Sequence, residues 1–246
     1  MGGGMKVLHR LLGAALSGVL LLTACAPGQR SAQGENPSGP CESANQVKPE
    51  YELSQRVTFV LAAGYGENSV DITHCLLSEG GYSEQWRAKG FSGSTGFAKP
   101  GPVYVNSLLS PTGSYSVTEA FGRTNPGTNL PYEKLRQDSY WGGRHSAHFN
   151  NYFEGAGQFP DEPLWKYMQA GDYEQAAVIN YNRPPEGQPV PGQSFAIFLH
   201  AGMRATWGCI STDLGTVEKY LRQTQPGDRI VMGVKSEIFG PTTSPA

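Results

Sequence analysis

The chain carries no strong charge of either sign: 19 Lys and Arg stand against 21 Asp and Glu, a formal net charge of −2 over 246 residues. Nothing in that balance points to a nucleic-acid partner. No internal repeat and no second domain can be found. No pair of acidic residues lies beside the one His–Cys block, which argues against a two-carboxylate glycosidase. Cysteine is scarce, with four in the whole chain. Glycine and proline, 32 and 18, make the chain loop-rich, yet short of the roughly 25–30% that marks low complexity. With 38% hydrophobic residues there is enough apolar surface for one catalytic-size core.

The front of the chain reads as a targeting segment. Lys6 and Arg10 precede the apolar run Leu11 to Leu22, which is too short for a comfortable membrane span of about 20 residues. The run ends in "LTAC" at Cys25, followed by the polar tract "APGQRSAQGENPSGP". This resembles a bacterial lipoprotein signal, which implies removal of residues 1–24 and a lipid on Cys25. Ordinary export with an incidental cysteine, or an uncleaved anchor, are the other readings. All three place the chain outside the cytoplasm. Residues 25–50 are expected to be a flexible tether, 51–236 the catalytic-size domain and 237–246 a disordered tail.

Export changes the meaning of the remaining cysteines. In an oxidising compartment Cys41, Cys75 and Cys209 form an odd set, and the unpaired member is the candidate free thiol. Cys41 and Cys75 flank an N-terminal segment and can close a loop. The sequence leaves that pairing open, but the arithmetic singles out Cys209.

Strands are expected at "RVTFVLAAG", "DITHCLLSEGG", "SYSVTEAF", "QAAVINYN", "SFAIFLHAG" and "RIVMGV", with short strands between glycines in "YSEQWRAKGFSGSTGFAKPG". "NPGTNLPYEKLRQDSYWGGRHSAHFNNYFEG" reads as a long ordered loop. "DEPLWKYMQAG" reads as a short helix ended at Gly171, and "STDLGTVEKYLRQTQPGD" as a second, capped by Ser211 or Thr212 and stopped by Pro226-Gly227. The fold class is mainly β with short helices (α+β).

The block "SFAIFLHAGMRATWGCIST" carries the chemistry. Both faces of "SFAIFLH" are apolar, with Phe195, Ile197 and Leu199 on one and Ala196 and Phe198 on the other, as in a central covered strand. His200 ends that strand on the Ala196/Phe198 side, where a rigid element can hold a base. Cys209 follows nine residues later, just before the expected helix, whose N-terminus and nearby amides can stabilise a thiolate or an oxyanion. Gly208 lets a substrate carbonyl approach the backbone. Spacing alone leaves two readings open: a thiol nucleophile with its base, or a buried structural cysteine beside a satisfied core histidine.

"IFLHAGMRATWGCIST", with "SPTG" upstream and "PGDRIVMGV" downstream, resembles the L,D-transpeptidase (YkuD-type) catalytic domain of bacterial cell-wall enzymes. The likeness is to the branch with a Thr-x-Gly-Cys signature, and "SPTGSYSVTEAFG", "LPYEKL", "FNNYF" and "VINYN" look like further landmarks of it, over about residues 57 to 234. The resemblance implies a β-sandwich or mixed-sheet catalytic domain. It implies Cys209 as nucleophile, His200 as general base, and the Gly208 and Cys209 amides as oxyanion hole. It further implies peptidoglycan stem peptides as substrate, a thioester intermediate, and no metal or organic cofactor. An amine resolves the thioester into a cross-link; water would make the enzyme an L,D-carboxypeptidase. Trp207 stands where most members have histidine, and Ser211 where they have arginine. Arg204 is a candidate for the missing positive charge, and Thr206, Trp207, His148 and Asn150 are candidate substrate contacts.

Other histidines and aromatics have plainer readings. His145 and His148 have a spacing that suits a metal only if a third ligand is near. His74 reads as strand context. Trp86, Trp141, Tyr152 and Trp165 can line a glycan groove but fit packing better. A monomer without nucleic-acid partners, lipid-anchored and facing the cell wall, is the expectation. A non-catalytic wall-binding lipoprotein of the same fold is the competing one.

Overall fold

A computed structural model describes Met1 and residues 39–240. The expected signal segment apart from Met1, Cys25, residues 26–38 of the expected tether and residues 241–246 lie outside the described residues.

Twelve strands and three α-helices are described. The strands are β1 (Arg56–Ala62), β2 (Ser69–Ser78), β3 (Gly81–Phe91), β4 (Gly113–Gly122), β5 (Tyr132–Lys134), β6 (Ser139–Trp141), β7 (Tyr152–Glu154), β8 (Glu162–Pro163), β9 (Gln175–Ile179), β10 (Phe198–Ala201), β11 (Ile210–Thr212) and β12 (Asp228–Val234). The helices are α1 (Leu164–Gln169), α2 (Leu214–Gln223) and α3 (Lys235–Phe239). The architecture is therefore mainly β with few short helices. The main sheet runs β12-β1-β2-β3-β11-β10-β9-β4-β5, and β4 also pairs with β12. The sheet thus closes on itself through eight strands, with β5 appended to β4. A small second sheet, β7-β6-β8, takes β6 and β7 from the segment expected to be loop and β8 from the start of the segment expected to be helix.

Three apolar clusters follow from the two faces of this sheet. Val60, Ile72, Val117, Ile179, Leu199, Ile210 and Ile230 on one face bury Val217, Tyr220 and Leu221 of α2. On the opposite face, Phe59, Leu61 and Val231 are covered by Tyr51 and Ile238. Also on that face, Phe121, Ala176, Val178 and Phe198 are covered by Trp141, Leu164 and Met168.

The cluster around Phe59 extends the domain at both ends. Residues 42–46 form a 3₁₀ turn rather than tether, because Ala44 is buried there and Cys41 is bonded to Cys75 on β2. The expected tail is likewise ordered up to residue 240. Ile238 is buried and the Phe239 ring packs on Phe59 at 5.3 Å, so α3 is held by apolar contact.

Several elements differ from expectation. β3 is one continuous strand of eleven residues; its interior glycine, Gly90, serves close approach instead of a break. A Cβ there would sit 2.4 Å from the Ser211 carbonyl oxygen, so only glycine lets β3 lie against β11. Helix α2 is capped by Asp213, whose side chain accepts from Thr216 N–H, because Ser211 and Thr212 are already in β11. It ends at Gln223, with Thr224 as C-cap, ahead of Pro226. The acidic residue before α1 belongs to β8, so no acidic side chain opens that helix.

Candidate active site

β10 lies between β9 and β11, covered on both faces as the apolar pattern of "SFAIFLH" requires. The regular strand begins only at Phe198. Ala196 has φ 54°, a conformation that turns the chain and puts Phe195 against the cluster of Ala196 and Phe198 instead of with Ile197. β10 and β11 are parallel, with Leu199 beside Ile210 and His200 beside Ser211. Cys209 packs in the cluster of Phe198, and His200 shares the Phe198 face by strand alternation. The thiol thus lies against the β10 backbone at Phe198, and His200 stands two residues further along β10 on the Phe198 side.

The imidazole is oriented by carbonyl groups. His200 Nδ1 lies 2.6 Å from the Ala201 oxygen and 3.2 Å from the Asp172 oxygen. Both partners only accept, so Nδ1 carries the hydrogen and Nε2 keeps the lone pair. Tyr173 meets the ring edge-on at 5.1 Å. Burial lowers the His200 pKa, against the pull of the Ala201 carbonyl, so the ring stays neutral. Asp172 also acts through its side chain, whose carboxylate pairs with the otherwise exposed Arg204 guanidinium.

The thiol is buried and hydrogen-bonded to backbone. Cys209 Sγ–H donates to the Ala196 carbonyl at 3.1 Å, and Sγ accepts from Phe198 N–H at 3.4 Å. Burial is the main cause raising the thiol pKa, with the Glu162 charge second. Helix α2 gives no dipole assistance, since β11 and Asp213 separate Cys209 from its first turn. Cys209 is the free cysteine among the described residues, and Cys41 and Cys75 form the disulfide.

The Thr-x-Gly-Cys signature has a local explanation. Thr206 Oγ1 donates to the Cys209 carbonyl at 2.6 Å and accepts from Gly208 N–H at 3.0 Å, closing a tight turn. Gly208 has φ 150°, and a Cβ there would meet the Leu109 oxygen at 3.2 Å. Ser110, from the "SPTG" landmark, donates to the Gly208 carbonyl at 2.7 Å and accepts from Gly93 N–H at 2.8 Å. Of the two amides expected to form an oxyanion hole, Gly208 N–H is committed to Thr206. Cys209 N–H is the remaining candidate.

The other expected contacts separate into two groups. Trp207 is 85% exposed on the His–Cys loop, where its side chain can meet a bound molecule. Ser211 is fully buried and donates to the Arg204 carbonyl at 2.6 Å, tying down that loop. Asn150 is buried and internally saturated. Its Oδ1 accepts from Trp141 Nε1 at 2.9 Å and Ala196 N–H at 3.0 Å; its Nδ2 donates to the Tyr181 and Asn182 carbonyls at 3.1 and 2.8 Å. With all four positions taken, Asn150 positions the Ala196 turn and offers no group to a substrate. His148 stacks on Phe153 at 4.7 Å, and His145 Nε2 accepts from Arg144 Nε at 3.0 Å. Both line a cleft of about 380 Å³ with Phe159 and Asp161. Among the described residues no three His, Cys, Asp or Glu side chains are grouped to hold a metal ion. His74 is buried between Thr58 and a stacked Trp86, and Trp86 and Trp141 are core residues.

Asp172, Tyr173 and Glu162 are the site residues that sequence reasoning missed. Asp172 lies 28 positions from His200 and acts through its carbonyl, for which no side-chain pattern exists. Ser110 was legible as part of a motif, although not in this role.

No protein-family model matches the chain, and no curated protein matches it.

Proposed function

We propose that this protein is a cysteine acyltransferase of the L,D-transpeptidase kind, acting on peptidoglycan stem peptides and held at the outer face of the membrane by a lipid on Cys25. One observation carries the reading. The free thiol of Cys209, just before β11, lies against the β10 backbone at Phe198, and His200 stands two residues along β10 on the Phe198 side, with its imidazole tautomer set by the Ala201 and Asp172 carbonyls. That is the nucleophile, base and orienting group such chemistry requires.

The steps follow from these contacts. Substrate entry draws Cys209 Sγ–H away from the Ala196 carbonyl, and the proton passes to His200 Nε2. The thiolate attacks the stem carbonyl, and Cys209 N–H donates to the resulting oxyanion. The C–N bond breaks as His200 returns the proton to the departing amine, leaving a thioester. An acceptor amine then attacks the thioester carbonyl, loses its proton through His200, and the thiol is released. Water in place of the amine gives hydrolysis.

The buried thiol favours a second reading, a non-catalytic wall-binding lipoprotein of the same fold. Its Sγ–H is satisfied by Ala196, and its surroundings oppose ionisation. Intact-mass analysis after carbapenem treatment separates the two. An acyltransferase gains one covalent adduct that is lost in Cys209→Ala. No adduct, together with no alkylation of native Cys209 by iodoacetamide, overturns the catalytic reading.

A further inference from the structure

Asp172, in the turn before β9, makes two contacts from one backbone position. Its carbonyl oxygen lies 3.2 Å from His200 Nδ1, and its carboxylate accepts from Arg204 Nη2 at 2.5 Å. Arg204 belongs to the loop between β10 and β11, the stretch of chain that joins His200 to Cys209. The two side chains differ in exposure, 11% for Asp172 and 65% for Arg204, so a surface cation reaches inward to a buried anion. A carboxylate held there without its partner would be costly. Gly202 makes the approach possible. Its φ is 129°, and a Cβ on it would stand 3.0 Å from Asp172 Oδ1 and 3.9 Å from His200 Nδ1 and Cε1. The carboxylate and the imidazole therefore border the same space, which glycine leaves open. Met203 and Trp207 of this loop stay exposed, so Arg204 is the long side chain that anchors it. Backbone bonds tie its far end, where Thr206 N–H donates to the Ser92 carbonyl at 3.0 Å and the Thr206 carbonyl accepts from Ser94 N–H at 2.9 Å.

We propose that Asp172 is a positioning residue of the acyl transfer: its carbonyl fixes the His200 imidazole, and its carboxylate, through Arg204, fixes the loop that leads from that base to Cys209. The proposal rests on the acyl-transfer reading. One residue then sets the base and the nucleophile-bearing loop relative to each other, which a reaction needing both in register requires. The ion pair also carries charge to the ring. The groups that face His200 are Tyr173 and Asp172 from the turn before β9 and Arg204 from the loop after β10. The Asp172 carboxylate favours the protonated imidazole and the Arg204 guanidinium opposes it. Paired, the two charges offset each other. Splitting the pair has a signed consequence: an unbalanced guanidinium makes the imidazole a weaker base, and an unbalanced carboxylate makes it a stronger one.

The test uses the full chain, with the rate of carbapenem acylation followed by intact mass across its pH profile. Asp172→Asn and Arg204→Met should each slow acylation on the plateau by about tenfold, the scale of a loosened catalytic pair. Arg204→Met alters an exposed side chain and keeps its stem, so it carries the test if Asp172→Asn fails to fold. The acid limb of the profile should move to lower pH in Asp172→Asn and to higher pH in Arg204→Met. In the double variant the limb should return to its wild-type position, and the plateau rate should fall no further than in the slower single variant, because the two residues act as a unit. NMR titration of the His200 Cε1–H, assigned by its loss in His200→Gln, should show the same two opposite shifts. A tie that only stiffens the fold would slow the reaction without moving the limb in opposite directions. A limb that stays in place in Arg204→Met, shifts of one sign in both variants, or plateau rates within about twofold of wild type overturn the proposal and leave the acyl-transfer reading standing. Absence of any carbapenem adduct on the wild type defeats that reading, and this proposal with it.

Discussion

The Cys209 thiol donates its hydrogen to the Ala196 carbonyl at 3.1 Å and makes no hydrogen bond to His200. The resting structure therefore holds a protonated thiol near a neutral imidazole, and the proposed proton transfer requires a displacement of the thiol. Ala196 can present its carbonyl this way because its backbone adopts φ 54° and its N–H is gripped by Asn150. A buried thiol with a satisfied hydrogen is protected from indiscriminate oxidation.

The turn that presents Cys209 depends on the Thr206 hydroxyl. Thr206→Val keeps the shape but removes both hydrogen bonds, to the Cys209 carbonyl and from Gly208 N–H. Carbapenem acylation should slow by about tenfold, since loosening a positioned nucleophile costs on the order of 1–2 kcal/mol in the barrier. Thr206→Ser, which retains the hydroxyl, should stay within about threefold of wild type. Equal rates for the Val and Ser variants would show that the hydroxyl does not position the thiol.

Asn150 is a structural keystone under the site. Asn150→Ala orphans Trp141 Nε1–H, Ala196 N–H and two carbonyls in the interior. Each unsatisfied buried group costs about 1–3 kcal/mol, so a loss of about 3 kcal/mol or more in urea unfolding is expected. A change below about 1 kcal/mol would contradict this role.

His74 makes stability depend on pH. Burial depresses its pKa from the ordinary value to about 4, with Arg56 and Lys219 adding to the effect. Between that value and the unfolded value of about 6.5 the unfolded chain binds more protons than the folded one. The contribution is thus fully present above about pH 6.5 and declines as pH falls toward 4, by up to about 3 kcal/mol. Thermal melts from pH 7.5 to 4.5 should show the loss, and His74→Gln should flatten its slope; an unchanged slope would rule out His74 as its source.

The Cys41–Cys75 bond ties the segment before β1 to β2 across a separation of 34 residues. Opening it in a Cys41→Ala/Cys75→Ala double variant should cost about 3–4 kcal/mol on the chain-entropy account. Guanidinium unfolding with and without reductant measures this. Reductant should shift the wild type and leave the double variant alone.

Much of the molecule was legible from local pattern. Apolar alternation and β-branched runs located β1, β2, β4, β9 and β12, and 3.6-residue spacing located α2. The free thiol emerged from counting cysteines, and the His–Cys spacing from the ends of two elements. These features depend on residues near one another in the chain, where side-chain periodicity reports which surface is buried.

Tertiary structure alone settled the rest. Closure of the sheet through the β4–β12 pairing joins strands more than 100 residues apart, which no local pattern encodes. The Asp172 carbonyl on His200, the Tyr173–Glu162 contact and the commitment of Gly208 N–H to Thr206 depend on backbone groups and on distant residues brought to one place. Asn150 reads in sequence as a loop residue and a candidate substrate contact. Only packing shows that all its hydrogen-bonding capacity is spent, because satisfaction of a buried amide is decided by what folds around it. Composition and periodicity determine which residues go inside; long-range chain closure determines which of them meet.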